Sequence, residues 1–136
     1  MRPSRGGEGG HAALELVLVV GLLLVPATIL LAAVPVWVER QDAARDAAAV
    51  AARAAVAEGD VAVVATAVAD VESAWGLAPS ALVWSAQGDP GGRGGSFTVA
   101  VTVELPAIDL PVLGSFGAVE WTTSHTERVP AHRSRT

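Results

Sequence analysis

From Leu16 to Val38 the chain carries no charged residue, and Leu and Val are denser there than anywhere later. At about 1.5 Å per helical residue, the run is long enough to cross a hydrocarbon core of about 30 Å with some tilt. It is read as one transmembrane helix, within a segment spanning residues 11–38. Pro26 and Pro35 fall inside it. Each deletes a backbone hydrogen bond, and membrane helices tolerate this as a kink where neighbouring groups satisfy the freed carbonyl. A secretory signal peptide is the competing reading, with Arg2 and Arg5 as its basic region and Ala32–Ala33 near a small-residue cleavage site. Its apolar region is ordinarily about 7 to 15 residues, whereas this run continues past Ala33 to the charged segment that opens at Glu39. The span is therefore favoured.

With 136 residues the chain has room for one small domain after the span. Its formal charge of −5 falls mainly beyond the membrane segment, where acids and arginines are interspersed. No basic stripe exists to follow a phosphate backbone, so nucleic acid is not an expected partner. The absence of Cys removes disulfides, thiolate zinc sites and thiol nucleophiles.

Ahead of the apolar run, residues 1–10 are polar and Gly-rich, and the chain turns abruptly helix-compatible at His11. Glu15 stands at the start of the run, and a carboxylate at the centre of a membrane helix costs about 2.5 to 3.5 kcal/mol on insertion scales. Two readings account for it. Glu15 can sit at headgroup level, favoured by the positive end of the helix dipole and without further role. Alternatively, cleavage between Gly10 and His11 makes Glu15 residue five of a processed chain. It then lies one helical turn from a new terminal ammonium, and a charge pair becomes possible.

Beyond the span, Gln41 to Glu58 is dense in Ala, the strongest helix former, so the helix is expected to continue into residues 39–58 as an Ala-rich soluble stalk. Gly59 stops it and Asp60 can cap a new start. Val61, Val64, Val68, Val71 and Trp75 recur at steps of three and four, a helical stripe closed by Gly76 with Pro79 just beyond. Leu82 to Gln87 reads as a strand. Ser96 to Leu105 alternates cleanly, with Phe97, Val99, Val101, Val103 and Leu105 on one face. Gly88 to Gly95 suits a hairpin connection; its Gly-Gly-Arg-Gly-Gly core lacks the Gly-Lys-Ser/Thr ending and following helix of a phosphate loop. Pro106 to Gly117 is apolar but broken by Pro106, Pro111 and Gly114, and Ala118 to Val129 resumes a Thr-rich strand pattern. The expected fold class is α+β. A long N-terminal transmembrane helix continues into the stalk, followed by a short helix and an antiparallel sheet of about three strands, with the Ala-rich helix as cover. The small domain spans residues 59–129 and a flexible tail residues 130–136.

Gly10, His11-Ala12-Ala13-Leu14 and Glu15 resemble the processing region of type IV pilins, in which a short basic leader ends in Gly and an apolar helix carries Glu at mature position five. Within that class the chain is most similar to TadE-like minor pilins of tight-adherence pilus systems. That similarity runs through Ala12-Ala13-Leu14-Glu15-Leu16-Val17, the Ala-rich stalk, the Val-alternating strand and Ser124-His125-Thr126-Glu127-Arg128-Val129. The resemblance implies residues 1–10 as a prepilin leader, Gly10 and His11 as the cleavage site, and Glu15 as the assembly residue. It also implies a prepilin peptidase, other pilin subunits, an assembly platform and the membrane as partners, and a single-pass protein whose C-terminal domain lies outside the cytoplasm. The basic flanks do not fix that orientation, since Arg40, Arg45 and Arg53 follow the span. N-inside rests on the resemblance.

The residues offer little chemistry of another kind. His11, His125 and His132 are scattered and lack the i, i+4 pair and glutamate of a helical zinc site. Gly114-Ser115-Phe116-Gly117 is not a nucleophile elbow, which needs glycine two positions to either side of the serine. The expectation is a non-enzymatic structural protein without cofactor, metal or catalytic residues, acting in pilus assembly and adhesion. A pseudopilin of a secretion system and a single-pass anchored domain binding an extracellular ligand are the alternatives.

Overall fold

The computed structural model describes residues 8–132, with side chains from Gly10 onward. Residues 1–7 of the expected leader and residues 133–136 of the expected tail lie outside the described residues. The fold is α+β. Helix α1 runs unbroken from Glu8 to Glu58, helix α2 from Val63 to Ala74, and five strands follow: β1 (Leu82–Gln87), β2 (Ser96–Leu105), β3 (Ile108–Leu110), β4 (Gly114–Phe116) and β5 (Val119–Arg128).

Helix α1 is continuous through Pro26 and Pro35, though each lacks the amide that would bond the carbonyl four residues earlier. Thr28 Oγ1 donates back to the Leu24 carbonyl, so its hydroxyl is also satisfied within the helix. The helix ends where Gly59 adopts φ +72° and returns its amide to the Ala55 carbonyl at 2.7 Å, a left-handed cap that suits glycine. Asp60 then accepts from the Ala62 amide at 2.9 Å and opens the turn into α2. Of the expected valine stripe, Val64, Val68 and Val71 are buried, Trp75 packs at the edge of the core, and Val61 is exposed in the turn ahead of the helix.

The second half of α1 is a wall of the core. Ala43, Ala44, Ala47, Ala48, Ala51, Ala52 and Ala55 are all buried, in two adjacent rows at intervals of four. Two neighbours share this face, α2 and the sheet, and side chains of one carbon let both backbones approach closely. The stretch expected to form a stalk is thus the cover expected over the sheet.

The three-stranded sheet has the order β1-β2-β5 and is antiparallel throughout, with Trp84 opposite Val101 and Val101 opposite Thr123 in the registers. Central strand β2 buries Phe97, Val99, Val101, Val103 and Leu105. Its other face joins β5 through hydroxyl pairs, Thr98–Thr126 at 2.8 Å and Thr102–Thr122 at 2.7 Å. Gly88, at φ +98°, follows β1; a Cβ there would come within 2.4 Å of the Ser96 carbonyl oxygen, so the backbone crossing requires glycine. The segment between β2 and β5 departs from expectation. It is not merely a broken connection but a second small antiparallel hairpin, β3 against β4, pairing Ile108 with Phe116 and Leu110 with Gly114.

Glu72 is the one buried charged side chain among the described residues. It accepts from the Leu82 amide at 2.8 Å and the Ser80 amide at 3.3 Å, tying the end of α2 to the start of β1. Its two backbone donors compensate the loss of water.

The close approach at the alanine wall generates a sharp contrast between adjacent positions. Ala51→Leu is expected to destabilise the domain by about 1–3 kcal/mol through overpacking. Val50→Leu, on the exposed side of the same turn, should stay within about 0.5 kcal/mol. Denaturant unfolding of the full chain in detergent, followed by tryptophan fluorescence, measures both.

Candidate functional site: the apolar helix and its acidic start

Gly10, His11 and Glu15 all lie in the first described turns of α1, and all three are exposed. The Gly10–His11 peptide bond is therefore inside a helix. Two consecutive glycines precede it, Gly9 and Gly10, and each weakens a helix by about 0.8–1 kcal/mol relative to Ala. Local opening at that bond is correspondingly cheap. Glu15 stands four residues after His11, on the same side of the helix. No hydrogen bond or ion pair joins Glu15 to another side chain among the described residues.

Beyond Glu15 the helix is apolar on every side. Leu16, Val17, Leu18, Leu22, Leu23, Leu24 and Leu31 are each at least 60% exposed, and none of the most apolar window is covered by the rest of the chain. The helix is long and apolar enough to cross a membrane. An all-round apolar surface of this kind belongs in hydrocarbon or in the centre of a large core, and no such core is present among the described residues.

Two side chains fasten this rod to the domain where it ends. Trp37 Nε1 donates to the Pro106 carbonyl at 3.2 Å, and Arg40 Nη1 donates to the Glu104 carbonyl at 3.2 Å. One turn further, the Arg45 guanidinium lies 4.9 Å from the centroid of the Trp121 ring and pairs with Asp42 at 2.8 Å. From the sequence, Trp37 carries no role and Arg40 enters only among the basic residues that follow the span. Trp two residues before the first charge, at the end of an apolar run, is the arrangement favoured at a membrane interface, and that signal was available.

The domain surface offers few groups for catalysis. The depression between α2 and β1 is lined by Ala65, Val68, Ala69, Leu82 and Trp84 around Glu72, whose carboxylate already serves two amides. His125 Nε2 lies 3.2 Å from Glu127 Oε2 on half-exposed β5 positions, while His11 and His132 are exposed at opposite ends of the described chain. Among the described residues no three His, Cys, Asp or Glu side chains gather as a metal site. Comparison with protein-family models, curated proteins and solved structures finds no match to this chain.

The division of labour along α1 makes a testable prediction. A chain of residues 36–136 retains Trp37 and the whole alanine wall, and should fold as a water-soluble domain. The full chain should require detergent or lipid. Sedimentation and circular dichroism without detergent check this; an unfolded or aggregated truncation would mean that the apolar half is part of the domain's stability.

Proposed function

We propose that this chain is a structural, non-catalytic membrane subunit, a TadE-like minor pilin of a tight-adherence pilus acting in pilus assembly and adhesion. The observation that carries the reading is Glu15: an exposed carboxylate at the start of an apolar helix, one turn beyond Gly10, with no partner among the described residues. A carboxylate drawn into lipid needs a counter-charge. The nearest source is the chain itself, since cleavage after Gly10 creates an ammonium on His11.

In this reading a prepilin peptidase removes residues 1–10 on the cytoplasmic side, after the glycine-weakened first turn of α1 opens. Glu15 then neutralises the terminal ammonium of a neighbouring subunit, and apolar helices pack side by side as other pilin subunits join through an assembly platform. The covered alanine face is committed to the subunit's own domain, which leaves the residues before Trp37 for contact with lipid or with other helices. The domain of α2 and β1–β5 lies outside the cytoplasm, where it is displayed. No cofactor or metal enters the mechanism.

Mass spectrometry of the protein from membranes of its native cell is expected to find His11 at the N-terminus. An intact leader would overturn the proposal. Glu15→Ala should leave membrane insertion intact or easier by up to about 3 kcal/mol and abolish cross-linking to neighbouring pilin helices. Undiminished cross-linking would leave Glu15 with an interfacial role only.

A further inference from the structure

The geometry points to a second membrane contact: the β3–β4 hairpin is an interfacial anchor whose tip, Val112 and Leu113, inserts among lipid headgroups and upper acyl chains next to α1. This rests on α1 being a membrane span.

Strand β2 runs antiparallel to α1, as two hydrogen bonds show. Glu104 meets Arg40, and Pro106, two residues further along the chain and just past the strand, meets Trp37, three residues earlier on the helix. The same progression carries β3, which also packs on α1, alongside the helix turns that precede Trp37. Those turns belong to the uncharged run. The hairpin therefore hangs from the membrane-facing end of the sheet.

Polarity changes at one level in all three passes of the chain. On α1 the boundary falls between Val38 and Glu39–Arg40, on β2 between Leu105 and Glu104, and on β5 between Val119 and Glu120. Glu104 and Glu120 are register partners, and Arg40 is bonded at the same height. On the membrane side of this charged collar, the segment from Leu105 to Val119 carries a single charge, Asp109.

Ile108 and Leu110 are buried, but Val112 is 89% exposed, Leu113 64% and Phe116 57%. Val112 and Leu113 form the turn at the far end of the hairpin, and Phe116 stands at its base, opposite Ile108. Val112 has φ +72°, a conformation unfavourable for a β-branched residue and easy for Gly or Asn. An apolar side chain is held at the tip despite that backbone strain, which is the behaviour of a functional position. Asp109 and Ser115, opposite one another in the register and both exposed, form the polar side and limit penetration to the headgroup region, as expected of an interfacial rather than a spanning element.

The chain has no cysteine, so single-cysteine variants can each carry one environment-sensitive nitrobenzoxadiazole label. Val112→Cys, Leu23→Cys in the span and Thr66→Cys on exposed α2 are made in the full chain. Each is reconstituted in phosphatidylcholine–phosphatidylglycerol vesicles containing lipids spin-labelled near the headgroup or deeper in the acyl chain. With the tip buried by about 5–10 Å, Val112 should be quenched at least about threefold more than Thr66, and more by the shallow quencher than the deep one. A Val112 label as aqueous as Thr66, with Leu23 still quenched by lipid, would overturn the hairpin anchor and leave the span standing. An unquenched Leu23 would overturn the span and the anchor with it. A Val112 label that is blue-shifted but unquenched by either lipid, and returns to an aqueous spectrum on dilution in lipid, would assign the tip to a second copy of the chain and overturn the lipid assignment.

Discussion

The structure depends on one helix with two unlike halves, an apolar one and an Ala-rich one. In hydrocarbon no water is available for an exposed amide or carbonyl, so a spanning segment must satisfy its own backbone as it goes. Helix α1 meets that demand, being continuous through Pro26 and Pro35 and long and apolar enough to cross a membrane. The same continuity carries it beyond Val38 without a break, where Leu and Val give way to Ala. What changes there is the partner, from an unoccupied apolar surface to α2 and the sheet. Alanine suits that change because it keeps helix propensity high while allowing two neighbours on one face.

Trp37 and Arg40 set how the two regions are joined. Their hydrogen bonds reach carbonyls at the end of β2, so the domain is held at the point where the apolar run stops rather than suspended on a free stalk. Fixed in this way, the sheet and the helix share one polarity boundary, at Arg40, Glu104 and Glu120. The buried Glu72 secures the other side of the domain by closing α2 onto β1.

Much of this was legible in the sequence, and unevenly so. The long helix, the stop at Gly59, the buried face of α2, β1 and the alternating β2 follow from periodicity and backbone chemistry that act locally. The alanine wall was legible as helix and as cover, but its composition looks equally like a stalk, since Ala fits solvent and close packing alike. Hairpin β3–β4 was not legible because three-residue strands between Pro106, Pro111 and Gly114 are too short to display a period. Glu72 was invisible for a different reason: its partners are the backbone amides of Ser80 and Leu82, which every non-proline residue possesses. At the candidate site, Gly10, His11 and Glu15 were legible as a spacing, and the structure adds that their peptide bonds lie in helix.

A helical setting for the Gly10–His11 bond has a consequence for order of events. In the proposed processing a peptidase must reach an opened backbone, and opening near the end of a helix sacrifices few hydrogen bonds because the first four amides have no intrahelical acceptor. Opening becomes progressively harder deeper in the helix, and harder still in lipid, where the released groups find no water. Glycines at positions 9 and 10 therefore sit where unwinding is affordable, whereas Ala12, Ala13 and Leu14 resist its spread toward Glu15. In the proposed reaction the turn that separates the new ammonium from the carboxylate stays helical throughout. In that proposal Glu15 keeps its place on the helix, and processing supplies the terminal ammonium that the Glu15 of a neighbouring subunit neutralises.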